Sequence, residues 1–215
     1  MDTVKLLFKE ISFQTEKQKS KFIAFSFHFK NKGQLSAILT KLKRKHTGAA
    51  HICYAYKCFE NADFDTFLTP MTSFGVLKSY FDDGEPSGTA GQPILQSIEN
   101  SGINNVLVVV VRYFGGTKLG TAGLFKAYAE AAQGVLEDNY VILTLCDGFI
   151  LRCTYSGYNA LQKYAEQHEL RVDDAEFLTE VQLCLFIEKE KSTEHLKNIK
   201  DTITTKLEFV GERYI

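Results

Sequence analysis

Val106 to Val111 constrains this chain most: six consecutive apolar residues, five of them valine. β-Branching favours strand over helix, and the lack of polar alternation requires cover on both faces. The run therefore reads as an inner strand. Its exit, Arg112-Tyr113-Phe114-Gly115-Gly116-Thr117-Lys118, reads as a tight loop in which glycine turns backbone N–H groups outward. Leu119 to Asp138 then reads as a helix. Leu119, Leu124, Tyr128, Ala131, Ala132 and Val135 recur near one face at roughly 3.6-residue spacing.

Strand, glycine loop and helix is the local order that holds phosphate. The known fingerprints are not met. A P-loop needs Gly-x4-Gly-Lys-Ser/Thr, whereas Lys118 is followed by Leu119. Glycines at 115, 116, 120 and 123 do not form Gly-x-Gly-x-x-Gly. The competing reading gives these glycines to turn geometry and close helix–strand packing.

A second polar loop comes earlier. Asp82, Asp83 and Glu85 place three carboxylates within four positions, and Pro86-Ser87-Gly88-Thr89 turns the chain. Pro93 suits the first turn of a helix capped near Thr89 or Gln92, which would bury Ile94, Leu95 and Ile98 and end near Ser101-Gly102. Clustered carboxylates hold a divalent cation or act as an acid/base pair. The alternative is that they neutralise the helix N-terminus and pair with Arg112. His51-x-Cys53 lies on a strand from Ala49 to Cys58, where period two turns Cys58 away from Cys53 and no ordinary zinc spacing is met. His51 is expected to hydrogen-bond within the site, near the Asp82/Asp83 loop. No metal and no cofactor are expected.

Asp82-Asp83-Gly84-Glu85-Pro86-Ser87-Gly88-Thr89-Ala90-Gly91-Gln92-Pro93-Ile94-Leu95 and Val108-Val109-Val110-Val111-Arg112-Tyr113-Phe114-Gly115-Gly116-x-Lys118-Leu119-Gly120 closely resemble the signature of the IMPACT (YigZ-like) family. Ala50-His51-x-Cys53-x-Ala55-Tyr56 and Ser20-Lys21-Phe22-Ile23-Ala24 fit its earlier motifs. Ala122 departs from the glycine of many relatives, but Gly123 remains. The resemblance implies a first domain, 1–140, with the ribosomal protein S5 domain 2-like fold. It implies a second, 141–215, that is ferredoxin-like and resembles domain V of elongation factor G.

Eukaryotic relatives regulate translation by competing for a ribosome-associated activator of a stress kinase. Their partner-recognition RWD domain is not visible here, so that pathway does not carry over. The implied function is a non-enzymatic regulator or binding protein associated with translation. Its partners would be RNA, the ribosome or a translation factor, with a small anionic ligand also admitted. The residues implied for binding are Arg112, Tyr113, Gly115, Gly116, Lys118, Ser87, Gly88 and Thr89. The alternative is an enzyme on a small phosphorylated or peptide-like substrate, with Asp82, Asp83, Glu85 and His51 at its centre. Against it, no complete nucleophile–base–oxyanion set is evident, and Ser87 and Thr89 lack a base in sequence. A third reading is an interaction scaffold whose loops only brace the fold.

Composition limits the partners. The chain has 215 residues, 45% apolar, and a formal charge of −1, so no global polyanion-binding charge exists. Residues 1–140 carry a net +3 and residues 141–215 a net −4, so nucleic-acid contact would need a local patch. Lys41, Lys43, Arg44 and Lys45 form one, at the end of an amphipathic segment from Gln34 to His46. They complement the helix dipole or grip phosphate. The five cysteines are odd in number and read as buried reduced thiols of a cytoplasmic protein. No apolar run approaches the ~20 residues of a membrane span, and the start lacks a signal peptide's apolar region.

The rest of the chain completes an α+β reading in two domains, the first a mixed sheet with helices against it. Val4 to Glu16 reads as one strand, Ser20 to Phe29 as another, Asn61 to Thr66 as a polar turn and Phe74 to Phe81 as a strand. A boundary is expected at about 139–146, in a β-rich segment broken at Asp147-Gly148. A βαββαβ series follows, with Ser156 and Ser192 as helix caps.

Overall fold

The structure is a computed structural model and describes residues 3–60 and 75–215. Its elements are β1 (Thr3–Leu7), β2 (Ser12–Lys17), β3 (Ser20–His28), α1 (Leu35–Lys45), β4 (His51–Phe59), β5 (Val76–Phe81), α2 (Gly91–Ser101), β6 (Ile103–Asn104), β7 (Val106–Tyr113) and α3 (Gly120–Leu136). There follow β8 (Tyr140–Cys153), α4 (Tyr155–Gln167), β9 (Arg171–Phe177), β10 (Val181–Glu188), α5 (Ser192–Thr202) and β11 (Thr205–Tyr214). The chain divides into two compact units, which meet in sequence between Ile142 and Leu143. The polar turn expected at Asn61 to Thr66 lies outside the described residues.

The first unit is built on a five-stranded sheet in the order β2-β3-β7-β4-β5. The valine run of β7 lies at its centre, paired with β3 on one side and β4 on the other. Each of its ladders is antiparallel. This corrects the expectation of a mixed sheet: the parallel β1–β6 pair lies outside these five strands. The helical crossover β3–α1–β4 does make β3 and β4 run the same way, but β7 comes later in the chain and inserts between them.

Period two then assigns the faces. Phe22, Ala24, Cys53, Ala55, Val108 and Val110 pack against Ile94 and Ile98 of α2 and Leu124, Ala127 and Tyr128 of α3. Ile52, Tyr56, Leu107, Val109 and Val111 pack against Leu42 and its neighbours on α1. Both faces of β7 are thus covered, which is why it carries no polar alternation. Val4 to Glu16 is two strands, not one. The chain leaves β1 at Phe8, whose N–H donates to Asn139 O, and rejoins a sheet at Ser12.

The second unit has the expected βαββαβ order, with an antiparallel sheet β9-β10-β8-β11. Its core is Leu151, Leu161, Leu183, Leu185, Ile187 and Ile199. Fold class is therefore α+β, with a ferredoxin-like second unit. The expected break at Asp147-Gly148 is not made, and β8 runs straight through. Gly148 faces Gly211 on β11, beside a bulge between Phe209 and Gly211, so the irregularity is taken up by the partner strand.

Two helix caps also differ. Thr154, not Ser156, caps α4: its hydroxyl accepts from Gly157 N at 3.1 Å. Ser192 is the first residue of α5, behind Lys191. Thr154→Ala should therefore cost about 1 kcal/mol, with Ser156→Ala costing clearly less, in urea melts of the two variants. Equal losses would show that the cap is misassigned.

Candidate functional site

The acidic loop is folded by its own carboxylates. Asp82 Oδ1 accepts from Ala90 N (3.1 Å) and Gly91 N (2.8 Å), and Oδ2 accepts from Gly88 N (3.0 Å). One side chain thus closes the loop and satisfies donors at the α2 N-terminus, where no N-cap side chain is present. Asp83 has φ 44°, and its Oδ2 accepts from Ile52 N at 2.7 Å. Gly84 follows with φ 84°, the left-handed conformation that glycine allows. Thr89 donates its hydroxyl to Pro86 O at 2.7 Å, while Ser87 is exposed.

Glu85 points the other way, into the protein. It is 8% exposed, and its Oε1 accepts from Arg112 Nη1 at 2.6 Å and from Tyr128 Oη at 2.8 Å. Arg112 is 5% exposed. Its guanidinium carbon lies 5.5 Å from the Phe22 ring centroid and 5.6 Å from that of Phe114. Nη2 reaches Ser20 Oγ at 3.5 Å, and Nε has no hydrogen-bond partner among the described residues. Strand register explains the assembly: Phe22, Arg112 and His51 lie side by side across β3, β7 and β4.

His51 Nδ1 is 2.8 Å from Asp83 O, and a carbonyl can only accept, so Nδ1 carries the proton. Nε2 then stands 4.0 Å from Glu85 Oε1, too far for a hydrogen bond. Cys53 lies beneath. Its thiol donates to Asp82 O at 3.0 Å, and Tyr128 Oη is 3.5 Å away. Burial first, and then the acids around it, push this thiol up to about 12. Burial likewise raises Tyr128 far above the usual phenol range, with Cys53 and Glu85 adding to it. Both groups are therefore protonated at neutral pH, and Cys53 is not a nucleophile.

The glycine loop contains two kinds of glycine. A Cβ on Gly115 would fall inside the van der Waals radii of the Lys19 carbonyl and Ser20 N. Gly115 N donates to Ser20 Oγ at 3.1 Å, so the loop is pressed against the β2–β3 turn. Gly116 and Gly120 have φ of 86° and 71°, and a Cβ on either would meet nothing within 4 Å. Between them Thr117 and Lys118 are exposed, and α3 begins without a side-chain cap. Phe114 is 53% exposed.

The fold thus brings Asp82, Asp83, Glu85, His51 and Arg112 into one cluster, with Ser20, Cys53 and Tyr128 added. Two expectations change. Arg112 does not offer its guanidinium to a partner, because burial forces its charge onto Glu85. Tyr113 belongs to the other face of the sheet, where its hydroxyl meets His46 Nδ1 at 2.8 Å. The three carboxylates serve separate N–H and O–H donors, and no metal-ligating group of His, Cys, Asp and Glu occurs among the described residues. Tyr128 and Ser20 were missed because one reads as part of an apolar helix stripe and the other as a strand's first residue. Neither carries a local signal of its hydrogen bond.

Comparison with known proteins identifies the relatives of this chain. Residues 18–136 match the Impact N-terminal domain, and residues 151–201 match a domain of unknown function, DUF1949. An IMPACT family member of Haemophilus influenzae is 32% identical over 188 residues, 86% of this chain and 84% of the relative. The IMPACT family member YigZ of Escherichia coli is 28% identical over 187 residues, 86% of each chain. A crystal structure described as that of a hypothetical protein superposes with a TM-score of 0.56, at 26% identity, covering 98% of each chain.

Glu85→Leu strands a buried guanidinium and should cost about 3–5 kcal/mol, whereas Lys118→Ala should stay within about 0.5 kcal/mol of wild type in the same melts. A mild Glu85→Leu phenotype would mean that the pair does not hold the loop. The raised Cys53 thiol gives a second expectation. The unfolded thiol ionises near 9 and the folded one at about 12. Its contribution to stability is therefore present below pH 9 and lost as pH rises from 9 to 12. Cys53→Ala should flatten that alkaline fall in urea midpoints, and native Cys53 should resist a thiol reagent at pH 8. Rapid labelling of native Cys53 would contradict this.

Proposed function

This chain belongs to the IMPACT family, and we propose that it acts in translation as a non-enzymatic binding protein, docking RNA, the ribosome or a translation factor on the glycine-loop face of its first unit. One observation carries the reading. The groups that could do chemistry are already engaged inside the fold: Asp82 on three amides, Asp83 on Ile52 N, Glu85 on Arg112 and Tyr128. Cys53 is held as a thiol. What remains outward is the Gly116–Gly120 turn, the start of α3 without a side-chain cap, and the exposed side chains of Lys118, Phe114 and, on the neighbouring loop, Ser87.

Such a surface favours a partner bearing phosphate or carbonyl groups. Exposed amides and one lysine recognise it without transferring a proton. The translational role rests on the family resemblance. An enzyme centred on Asp82, Asp83 and Glu85 would need carboxylates free to exchange protons with substrate, and these are tied to donors. A location in the cytoplasm fits a translational partner. Among the described residues no helix is long and apolar enough to cross a membrane.

Ribosome co-sedimentation of the purified chain at about 50 mM and about 200 mM salt tests the reading. Wild type should pellet at low salt and be released at high salt, and Lys118→Glu should pellet several-fold less. No pelleting at low salt, or a Lys118→Glu variant indistinguishable from wild type, would end it. Arg112 is unsuitable for this test, because its substitution disturbs the fold.

A further inference from the structure

We propose that the cleft between α1 and β3 is a second binding site, specific for single-stranded nucleic acid and separate from the glycine-loop face. The cleft has a volume of about 440 Å³, within the range of about 300–1,000 Å³ usual for ligand sites. Phe25 and Phe27 form its floor, Ile38 and Leu42 one wall, and Lys41 and Lys45 the rim. It lies on the α1 face of the sheet, whereas the glycine loop leads into α3 on the other face.

Charge is the first argument. α1 holds Lys41, Lys43, Arg44 and Lys45, has no acidic residue, and all four cations are exposed. None takes part in an ion pair among the described residues. A helix C-terminus is complemented by nearby positive charge worth about 0.3–1 kcal/mol. Four cations within five positions exceed that need and repel one another, and a chain of phosphates relieves the repulsion.

Shape is the second. Phe25 and Phe27 stand two residues apart on one face of β3, half-buried, with ring centroids 6.4 Å apart and planes inclined by only 24°. Neighbouring aromatics on a sheet face are how several RNA-binding folds stack successive unpaired bases. Beyond them α1 does not cover β2. Ser12 and Gln14, which face Phe25 and Ile23 across the ladder, are exposed, so a strand of nucleic acid can leave the cleft along the sheet.

The third argument selects the occupant. Glu10 lies on the cleft wall, its Oε1 fixed by His28 N at 3.2 Å. A carboxylate opposite a basic rim accepts the amino edge of a base whose phosphates lie on the lysines. An acidic amphipathic peptide would match the lysines and the apolar floor but would meet Glu10 as a like charge. A nucleotide chain satisfies both sides.

Fluorescence anisotropy of a 12-nucleotide labelled RNA of mixed sequence, titrated with the full chain, provides the test. Binding should be saturable at about 50 mM salt and weaken roughly seven- to twentyfold at 200 mM, the loss for two or three phosphate contacts. Lys41→Glu/Lys45→Glu should remove most of it. Phe27→Leu, which keeps apolar bulk and removes the ring plane, should weaken it at least about fivefold. Lys118→Glu should weaken it several-fold less than Lys41→Glu/Lys45→Glu does, so this site and the glycine-loop face can fail independently. The double lysine variant changes exposed side chains that form no ion pair among the described residues, and its melting temperature should confirm a retained fold. No anisotropy change at low salt, equal affinity for duplex RNA, or dependence on Lys118 but not on Lys41 and Lys45 would overturn the proposal. So would binding of an acidic amphipathic peptide in place of the oligonucleotide.

Discussion

A single buried ion pair between Arg112 and Glu85 governs the shape of the candidate site. The two residues stand 27 positions apart in sequence and meet at 2.6 Å with almost no access to solvent. Desolvating either charge alone is costly, so each must find the other when the first unit closes. Tyr128 donates to the same carboxylate oxygen, and the rings of Phe22 and Phe114 lie near the guanidinium. The pair joins the end of β7 to the acidic loop and, through Tyr128, to α3. Its value is not net stability alone. It leaves only one arrangement of these three elements in which no charge is stranded.

That arrangement decides what the surface offers. With the acids turned to amides and to Arg112, the outward groups of both loops are mostly backbone. Gly115 lets the loop approach Lys19 and Ser20 more closely than any side chain would allow, while Gly116 and Gly120 contribute left-handed turns in open space. Close approach and turn geometry are separate demands, and one glycine-rich segment meets both. A motif that resembles a phosphate loop at first sight thus serves packing at one end and presents amides at the other.

The same sheet separates two environments. On the α2/α3 face, Arg112 and Glu85 are buried and neutralise each other, and Glu130 and Glu99 are paired with Lys17 and Lys78. On the α1 face, four cations with no ion pair among the described residues gather beside a pair of phenylalanines, Lys45 lying over the Phe25 ring. The net +3 of residues 1–140 is therefore not spread evenly, and its exposed part is concentrated near α1. Polyanion binding on one face and amide-mediated docking on the other are compatible within a single small unit, because β7 insulates one from the other with apolar side chains on both sides.

Much was legible without coordinates. The valine run meant an inner strand, because only a strand covered on both faces tolerates it. The amphipathic segment from Gln34 to His46 placed α1, and the βαββαβ series gave the element order of the second unit. The pairing of Arg112 with the acids and the contact of His51 with their loop were open alternatives that residue chemistry alone could name. What needed the tertiary structure was every choice between long-range partners. β7 inserts between β3 and β4, Arg112 turns inward while Tyr113 turns to His46, Tyr128 finds Glu85, and Thr154 rather than Ser156 takes the cap. The reason is one of range. Backbone preference and periodicity act over a few residues and are written locally, whereas a charge or hydroxyl takes whatever partner is desolvated beside it, and that depends on how distant segments pack.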